Sequence, residues 1–86
     1  MKVRFFGMLR DFAGVESVDI LLGGPVKVKE LLNLLSSKLS WFNEFLKNVE
    51  KANISIIILV NDSLVNEEYL LNEEDEVTLL PPAAGG

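Results

Sequence analysis

Cysteine and histidine are both absent from this chain. Without cysteine there is no disulfide, no thiolate metal ligand and no side-chain thiol nucleophile. Without histidine the chain lacks the commonest general base and the commonest transition-metal ligand. The two absences argue against a stand-alone hydrolase and against a zinc site. Sulfur chemistry, if any, has to use something other than a cysteine of this chain. Positive charge is missing from the second part: all eight Lys and Arg lie at or before Lys51. Ala52 to Gly86 carries Asp62, Glu67, Glu68, Glu73, Glu74, Asp75 and Glu76 and no base, which is −7 against +2 for the preceding residues and −5 for the whole. A phosphate backbone would repel that half, so nucleic-acid binding is disfavoured. A partner with a basic face is one reading of the acids, because complementary charge steers encounter; a solvated surface is the other. Long apolar runs are missing as well. The longest, around Ile54 to Val60, is far short of a membrane span. Met1-Lys2-Val3-Arg4-Phe5 alternates apolar and charged residues, unlike the continuous apolar segment of a signal peptide. The expected protein is soluble, cytoplasmic and free of membrane contact.

What is present is one domain's worth of chain. Eighty-six residues bury about 60% of the unfolded surface or slightly more, enough for a small core. Val3 to Leu9 reads as a strand, and Arg10 to Gly14 as a short helical turn or loop closed by glycine. Val15 to Leu22 alternates, with Val18, Ile20 and Leu22 facing one way, until Gly23-Gly24-Pro25 stops it. Val28 to Leu39 carries Leu31, Leu32, Leu35 and Leu39 at helical spacing, and is the best helix. Trp41, Phe42, Phe45 and Leu46 continue the pattern as a second, short helix packed on the sheet. Ile54 to Val60 suits a strand buried on both faces or lying centrally. Asn61-Asp62 is a turn, Leu64-Val65 a short strand, and Asn66 to Asn72 a connection with Tyr69, Leu70 and Leu71 pointing inward. Glu73 to Glu76 turns the chain into a last strand, Val77 to Leu80, which Pro81 ends. The expected class is α+β. One main helix lies across one face of a mixed four- or five-stranded sheet, with the first and last strands parallel at its centre.

Only three prolines occur, and two of them adjoin at Pro81-Pro82, leading to Ala83-Ala84-Gly85-Gly86. Residues 1–80 are read as the domain and 81–86 as a flexible arm. Pro81 and Pro82 bias the base of the arm toward extended geometry, and six residues reach at most about 20 Å. Gly85 and Gly86 have no Cβ, so a partner can close around their backbone. The Gly86 carboxylate is then sterically bare. A carboxylate is unreactive until ATP converts it to an acyl-adenylate, after which a sulfur nucleophile yields a thiocarboxylate and an amine an amide. ATP and magnesium must belong to a partner, because Gly23-Gly24 lacks the Lys and Ser/Thr of a phosphate-cradling loop. No permanently bound cofactor and no metal are expected.

These residues resemble the ubiquitin-like sulfur carriers, most of all the small subunit of molybdopterin synthase, the MoaD family. Nearly the whole chain takes part. "VRFFGMLRDFAG" at its start is similar to the family's first strand and turn. "LVNDSLV" at Leu59 to Val65 resembles its hairpin. "DEVTLLPPAAGG" resembles its Pro-Pro-x-x-Gly-Gly end, the most specific of the three. The resemblance implies a β-grasp fold and a mechanism. An E1-like adenylyltransferase of the MoeB type would adenylate Gly86, and a sulfur donor protein would yield the thiocarboxylate. A large subunit of the MoaE type, in a heterotetramer, would receive the arm and pass sulfur to cyclic pyranopterin monophosphate. It further implies partner contacts at Phe6, Leu64 and Leu80, with Arg10 as a polar contact. At Leu79-Leu80 the family often carries aromatics, so this chain departs there. The chain also resembles the small archaeal modifiers, which join the same end to protein lysines. Sulfur supply for thiamine or tRNA thiolation, and a pure interaction domain with an inert tail, are further alternatives.

Overall fold

Alternation sets the first strand. In β1, Lys2–Phe5, Val3 and Phe5 turn inward while Lys2 and Arg4 face solvent. The structure, a computed structural model, describes residues 1–82. β1 ends at Phe5, short of the expected Leu9, because Gly7 at φ 60° breaks the extended path and Met8–Ala13 coil into α1. Leu9 is the buried residue of α1, and Gly14 at φ 75° closes it by donating to the Arg10 carbonyl. Left-handed geometry there favours glycine, which lacks the Cβ clash.

β2, Ser17–Asp19, pairs antiparallel with β1, and Val3 stands opposite Val18. It is shorter than the alternation over Val15 to Leu22, although Ile20 still joins the core. β3 is Val26–Lys27 and runs straight into α2, Val28–Lys38. The Lys27 N–H donates to Glu30 Oε1 at 3.1 Å, which satisfies one donor at the helix start. Val28, Leu31, Leu32 and Leu35 form the buried stripe of α2. Leu39 then takes an extended conformation, and α3, Ser40–Lys51, begins. α3 has 12 residues against 11 for α2, so the expected short helix is a full partner in the layer. Its Phe42 is fully buried, and Trp41 meets the Phe5 ring edge-on at 5.3 Å.

β4, Ile57–Val60, starts three residues later than expected, after Asn53 at φ 57° has turned the chain. Ile58 and Val60 face the core while Ile57 and Leu59 stay half-buried, so β4 is central in the sheet but buried on one face only. Asn61 at φ 50° and Asp62 at φ 69° make the two-residue turn to β5, Ser63–Leu64. Both residue types tolerate positive φ, and the turn matches the twist of the strands it joins. The Asn61 side chain also reaches across the fold. Its Nδ2 donates to Asp75 Oδ1 and its Oδ1 accepts from the Glu76 N–H, each at 3.0 Å.

Within Asn66 to Asn72 lies β6, Leu70–Leu71, paired antiparallel with β3. The expectation that Tyr69, Leu70 and Leu71 all face inward is corrected here: only Leu71 is buried, and alternation sends Leu70 outward. β7, Glu76–Leu80, is the last strand among the described residues. Among the described residues the sheet has five strands in the order β2-β1-β7-β4-β5, and β3-β6 is a separate two-stranded ribbon. β1 and β7 are parallel neighbours at the centre, as expected. Val3, Phe5, Ile58, Val60, Val77 and Leu79 meet the helical layer on one face. No helix among the described residues is long and apolar enough to cross a membrane.

Candidate functional site: the open sheet face and the root of the C-terminal segment

The face of the sheet turned away from the helices follows from register. Arg4 stands beside Thr78, Thr78 beside Leu59, and Leu59 beside Leu64. Paired residues point the same way, so these four form one row across β1, β7, β4 and β5. Leu80 stands beside Ile57 in the next row. Phe6 continues past β1, and its N–H donates to the Leu79 carbonyl at 3.0 Å. The Arg4 guanidinium lies 5.7 Å from the centre of the Phe6 ring, which brings Phe6 to the same side as Arg4. Phe5 beneath it is fully buried, so the two adjacent phenylalanines face opposite ways.

Phe6, Ile57, Leu59, Leu64 and Leu80 therefore make one apolar surface. Leu64 is 74% exposed and Phe6 45%. From β1 to β5 the patch spans three strand spacings, about 14 Å. Burying such side chains against a partner releases roughly 25 cal/mol per Å² of apolar area. Arg4 rims the patch and pairs with Glu76 at 3.2 Å. Arg10 comes from α1. It lines a small recess with Arg4, Phe6 and Glu16 and faces Glu16 at 3.8 Å. That exposed pair is weak, so the guanidinium can change partner at little cost. The structure thus gathers Phe6, Leu64 and Leu80 on one face and sets Arg10 at its edge.

β7 delivers Pro81 and Pro82 at the end of this patch. The Pro81 ring lies over the backbone of Gly7: a Cβ built on Gly7 would come 3.2 Å from Pro81 Cγ and 3.5 Å from its Cδ. Gly85 and Gly86, the residues expected to carry the chemistry, lie outside the described residues. Sequence reasoning missed Gly7, Arg4, Ile57 and Leu59. Ile57 and Leu59 were legible as the outward half of the β4 alternation. Gly7 had only its position between a strand pattern and a helical one.

The acids divide into two kinds. Hydrogen bonds from Lys27 and then Lys29 hold the Glu68 carboxyl below its ordinary range, and Glu68 in turn raises Lys27. Glu73 is lowered by the Met1 amino group, which donates to Oε2 at 2.8 Å, and by the Leu22 N–H. Asp75 accepts from Asn72 and Asn61, and Glu76 meets Arg4. Four of the seven acids of the C-terminal half are therefore engaged within the fold. Among the described residues no group of three or more acids could hold a metal ion. A groove between α2, α3 and β4, with Leu32, Val49, Ile56 and Val65 on its walls, is lined by none of the residues of the tail root. The exposed apolar side chains beside the tail root suit this surface to docking.

A mixed sheet with parallel central strands, helices across one face and an apolar open face at the tail root define a ubiquitin-like β-grasp domain. The model of the ThiS family matches residues 3–86. The small archaeal modifier protein 1 (SAMP1) of Methanosarcina acetivorans is similar at 32% identity, over 99% of this chain and 94% of that one, with a TM-score of 0.72. A protein–protein complex of subunits 1 and 2 of molybdopterin-converting factor from Helicobacter pylori matches at 31% identity, over 99% and 96%, with a TM-score of 0.64. SAMP1 of Haloferax volcanii shares the fold at 22% identity, over 100% and 98%, with a TM-score of 0.74. The chain belongs to the ThiS family and is a ubiquitin-like sulfur carrier of the ThiS and MoaD type.

Proposed function

We propose that this chain is the sulfur-carrying small subunit of a molybdopterin synthase. The observation that carries it is the apolar open face ending at Pro81, where a docked partner would also receive the chain's last residues. The Helicobacter pylori complex of subunits 1 and 2, 31% identical over nearly the whole chain, supports a large-subunit partner of the MoaE type. Phe6, Leu64 and Leu80 would supply the apolar contact and Arg10 a charged one. Pro81 and Pro82 would hold out the arm, and Gly85 would let a narrow channel close around it.

The chemistry begins at Gly86. A carboxylate oxygen attacks the α-phosphorus of ATP on an E1-like adenylyltransferase of the MoeB type, and pyrophosphate leaves. A sulfide-level nucleophile from a donor protein attacks the carbonyl carbon of the mixed anhydride. AMP departs and a thiocarboxylate remains. On the large subunit this sulfur is transferred to cyclic pyranopterin monophosphate, and hydrolysis of the acyl link returns the carboxylate. ATP and magnesium belong to the activating partner. The same reading puts the carrier in the cytoplasm, where ATP is available.

Reconstitution tests the role. The thiocarboxylated chain mixed with the host's large subunit should convert cyclic pyranopterin monophosphate to molybdopterin, and a Leu64→Asp chain should not. Failure of the loaded wild-type chain to convert it would remove the molybdopterin role while leaving the carrier class. Similarity to SAMP1 of Methanosarcina acetivorans, at 32% identity, favours a second reading, isopeptide attachment through Gly86 to protein lysines. That reading predicts Gly-Gly remnants on host lysines that disappear when the gene is deleted. Sulfur delivery for thiamine or tRNA would instead appear as loss of those thiolated products.

A further inference from the structure

We infer that Gly7 and Pro81 form a seat that sets the direction in which the C-terminal segment leaves the sheet, making Gly7 a positioning residue. The consequence for catalysis rests on the proposed function; the seat itself does not. Gly7 is fixed from both sides. Before it, the Phe6 N–H donates to the Leu79 carbonyl at 3.0 Å and ties the end of β1 to the end of β7. After it, the Gly7 carbonyl accepts from the Arg10 N–H at 3.1 Å and the Asp11 N–H at 3.4 Å, so α1 anchors it. Its dihedrals, φ 60° and ψ −135°, belong to a region used almost solely by glycine. The bare Cα leaves the space that the Pro81 ring occupies, with Cγ 3.2 Å from where a Cβ would stand.

Pro81 converts this contact into a direction. Its ring fixes its own φ, and it confines Leu80 before it to extended geometry. The Leu79 carbonyl is bound to the Phe6 N–H, and the seating of the ring on Gly7 adds a second restraint at the root. Six residues reach at most about 20 Å, so the direction set at the root biases the region of space their end can sample. A partner that grips the open face and expects the arm at one angle would meet a misdirected arm less often. Once the arm is bound, the partner's own groups complete the alignment. The defect therefore belongs in KM more than in kcat.

Two measurements test the seat. The first uses the free full-length chain and proton NMR. Gly7 α protons should show contacts to the Pro81 ring protons; Gly7→Ala should lose them while the β1 and β7 amides keep their shifts. Absence of those contacts in the wild type overturns the seat whatever the protein's function. The second uses the host's E1-like enzyme and ATP–pyrophosphate exchange, well below the unfolding temperature. Gly7→Ala should raise KM about tenfold with kcat within about twofold. Pro81→Ala lacks the two ring carbons that the new Cβ meets. The double variant should return to within about twofold of Pro81→Ala alone, the coupling expected of neighbours in contact. A Gly7→Ala chain that only melts earlier, with unchanged KM and no rescue, would show a purely structural glycine. If Gly7→Ala does not fold, Pro81→Ala alone decides: KM should rise about fivefold at an unchanged melting temperature, and an unchanged KM refutes the seat. No exchange with the wild-type chain counts against the proposed function, and the NMR contacts still decide the seat.

Discussion

Asn61 shows how much one side chain can organise. It turns the chain at φ 50°, donates to Asp75 and accepts from Glu76. An alanine there would remove the acceptor of the Glu76 N–H and leave Asp75 with its Asn72 hydrogen bond alone. Asn61→Ala should lower stability by about 1–3 kcal/mol, read from the urea midpoint at constant slope. The β4–β5 hairpin would loosen at the apolar patch as a consequence. Gly14 and Gly86 offer a contrast. Gly14 is at φ 75° with nothing within 4 Å of a built Cβ, so Gly14→Ala meets backbone strain alone. We expect about 1–2 kcal/mol of lost stability and retained sulfur transfer. Gly86→Ala should leave the melting curve in place and abolish thiocarboxylate formation. A large fall in melting temperature for Gly86→Ala would contradict an arm that stands clear of the fold.

At the scale of elements, the two faces of the sheet do separate jobs. Phe42 is fully buried and packs Trp41 edge-on at 5.5 Å. Phe42→Ala should cost about 3–5 kcal/mol, a large share of the stability of a chain this size, with binding per folded molecule unchanged. Leu64→Asp should move stability by no more than about 0.5 kcal/mol and weaken large-subunit binding about tenfold or more. Calorimetry on each variant with the large subunit checks both halves of that contrast. Lys27, Lys29 and Glu68 tie the β3–β6 ribbon to the start of α2. Glu68 is lowered, so its contribution is present above the ordinary carboxylate value of 4.5 and is lost as pH falls through the lowered one. Lys27 is raised, so its contribution is present below 10.5 and is lost as pH rises through the higher value. Both groups are exposed, so the effect is small and shrinks with salt. In melts taken down through pH 4 at low salt, Glu68→Gln should flatten part of the acid-side loss of stability. An acid limb unchanged from wild type would mean the pairs contribute nothing.

The elements that were legible in the sequence are those long enough to repeat. Alternation over Lys2 to Phe5 and the leucine spacing of α2 point to the core residues the structure buries. β3 and β6 have two residues each, too few for any period, and their pairing is set by tertiary contact. α3 looked short because Glu44, Lys47, Asn48 and Glu50 interrupt its apolar pattern on the solvent side. Of the candidate site, Phe6 was legible because one of two adjacent phenylalanines on a strand must face outward. The Gly7 seat was not, since it joins residues 74 positions apart through a single close approach. Burial of Leu71 but not Leu70 likewise depends on which ribbon strand lies opposite.

For the molecule as a whole, charge and shape give different kinds of information. The C-terminal half is strongly acidic, but Glu68, Glu73, Asp75 and Glu76 are engaged within the fold. Its charge therefore contributes more to holding the ribbon, the turn before β7 and the sheet together than a count of acids implies. The apolar open face and the tail root beside it are the more specific signal. They place a docking surface beside Pro81 and Pro82, the root of the segment whose Gly86 the proposed function activates. Intact mass measurement tests this most directly. The full-length chain is incubated with the host's E1-like enzyme, ATP, magnesium and sulfide, then weighed and fragmented. The account predicts pyrophosphate release and an oxygen-to-sulfur exchange localised to Gly86. An unchanged mass, with no pyrophosphate released by an enzyme active on its own substrate, would contradict it.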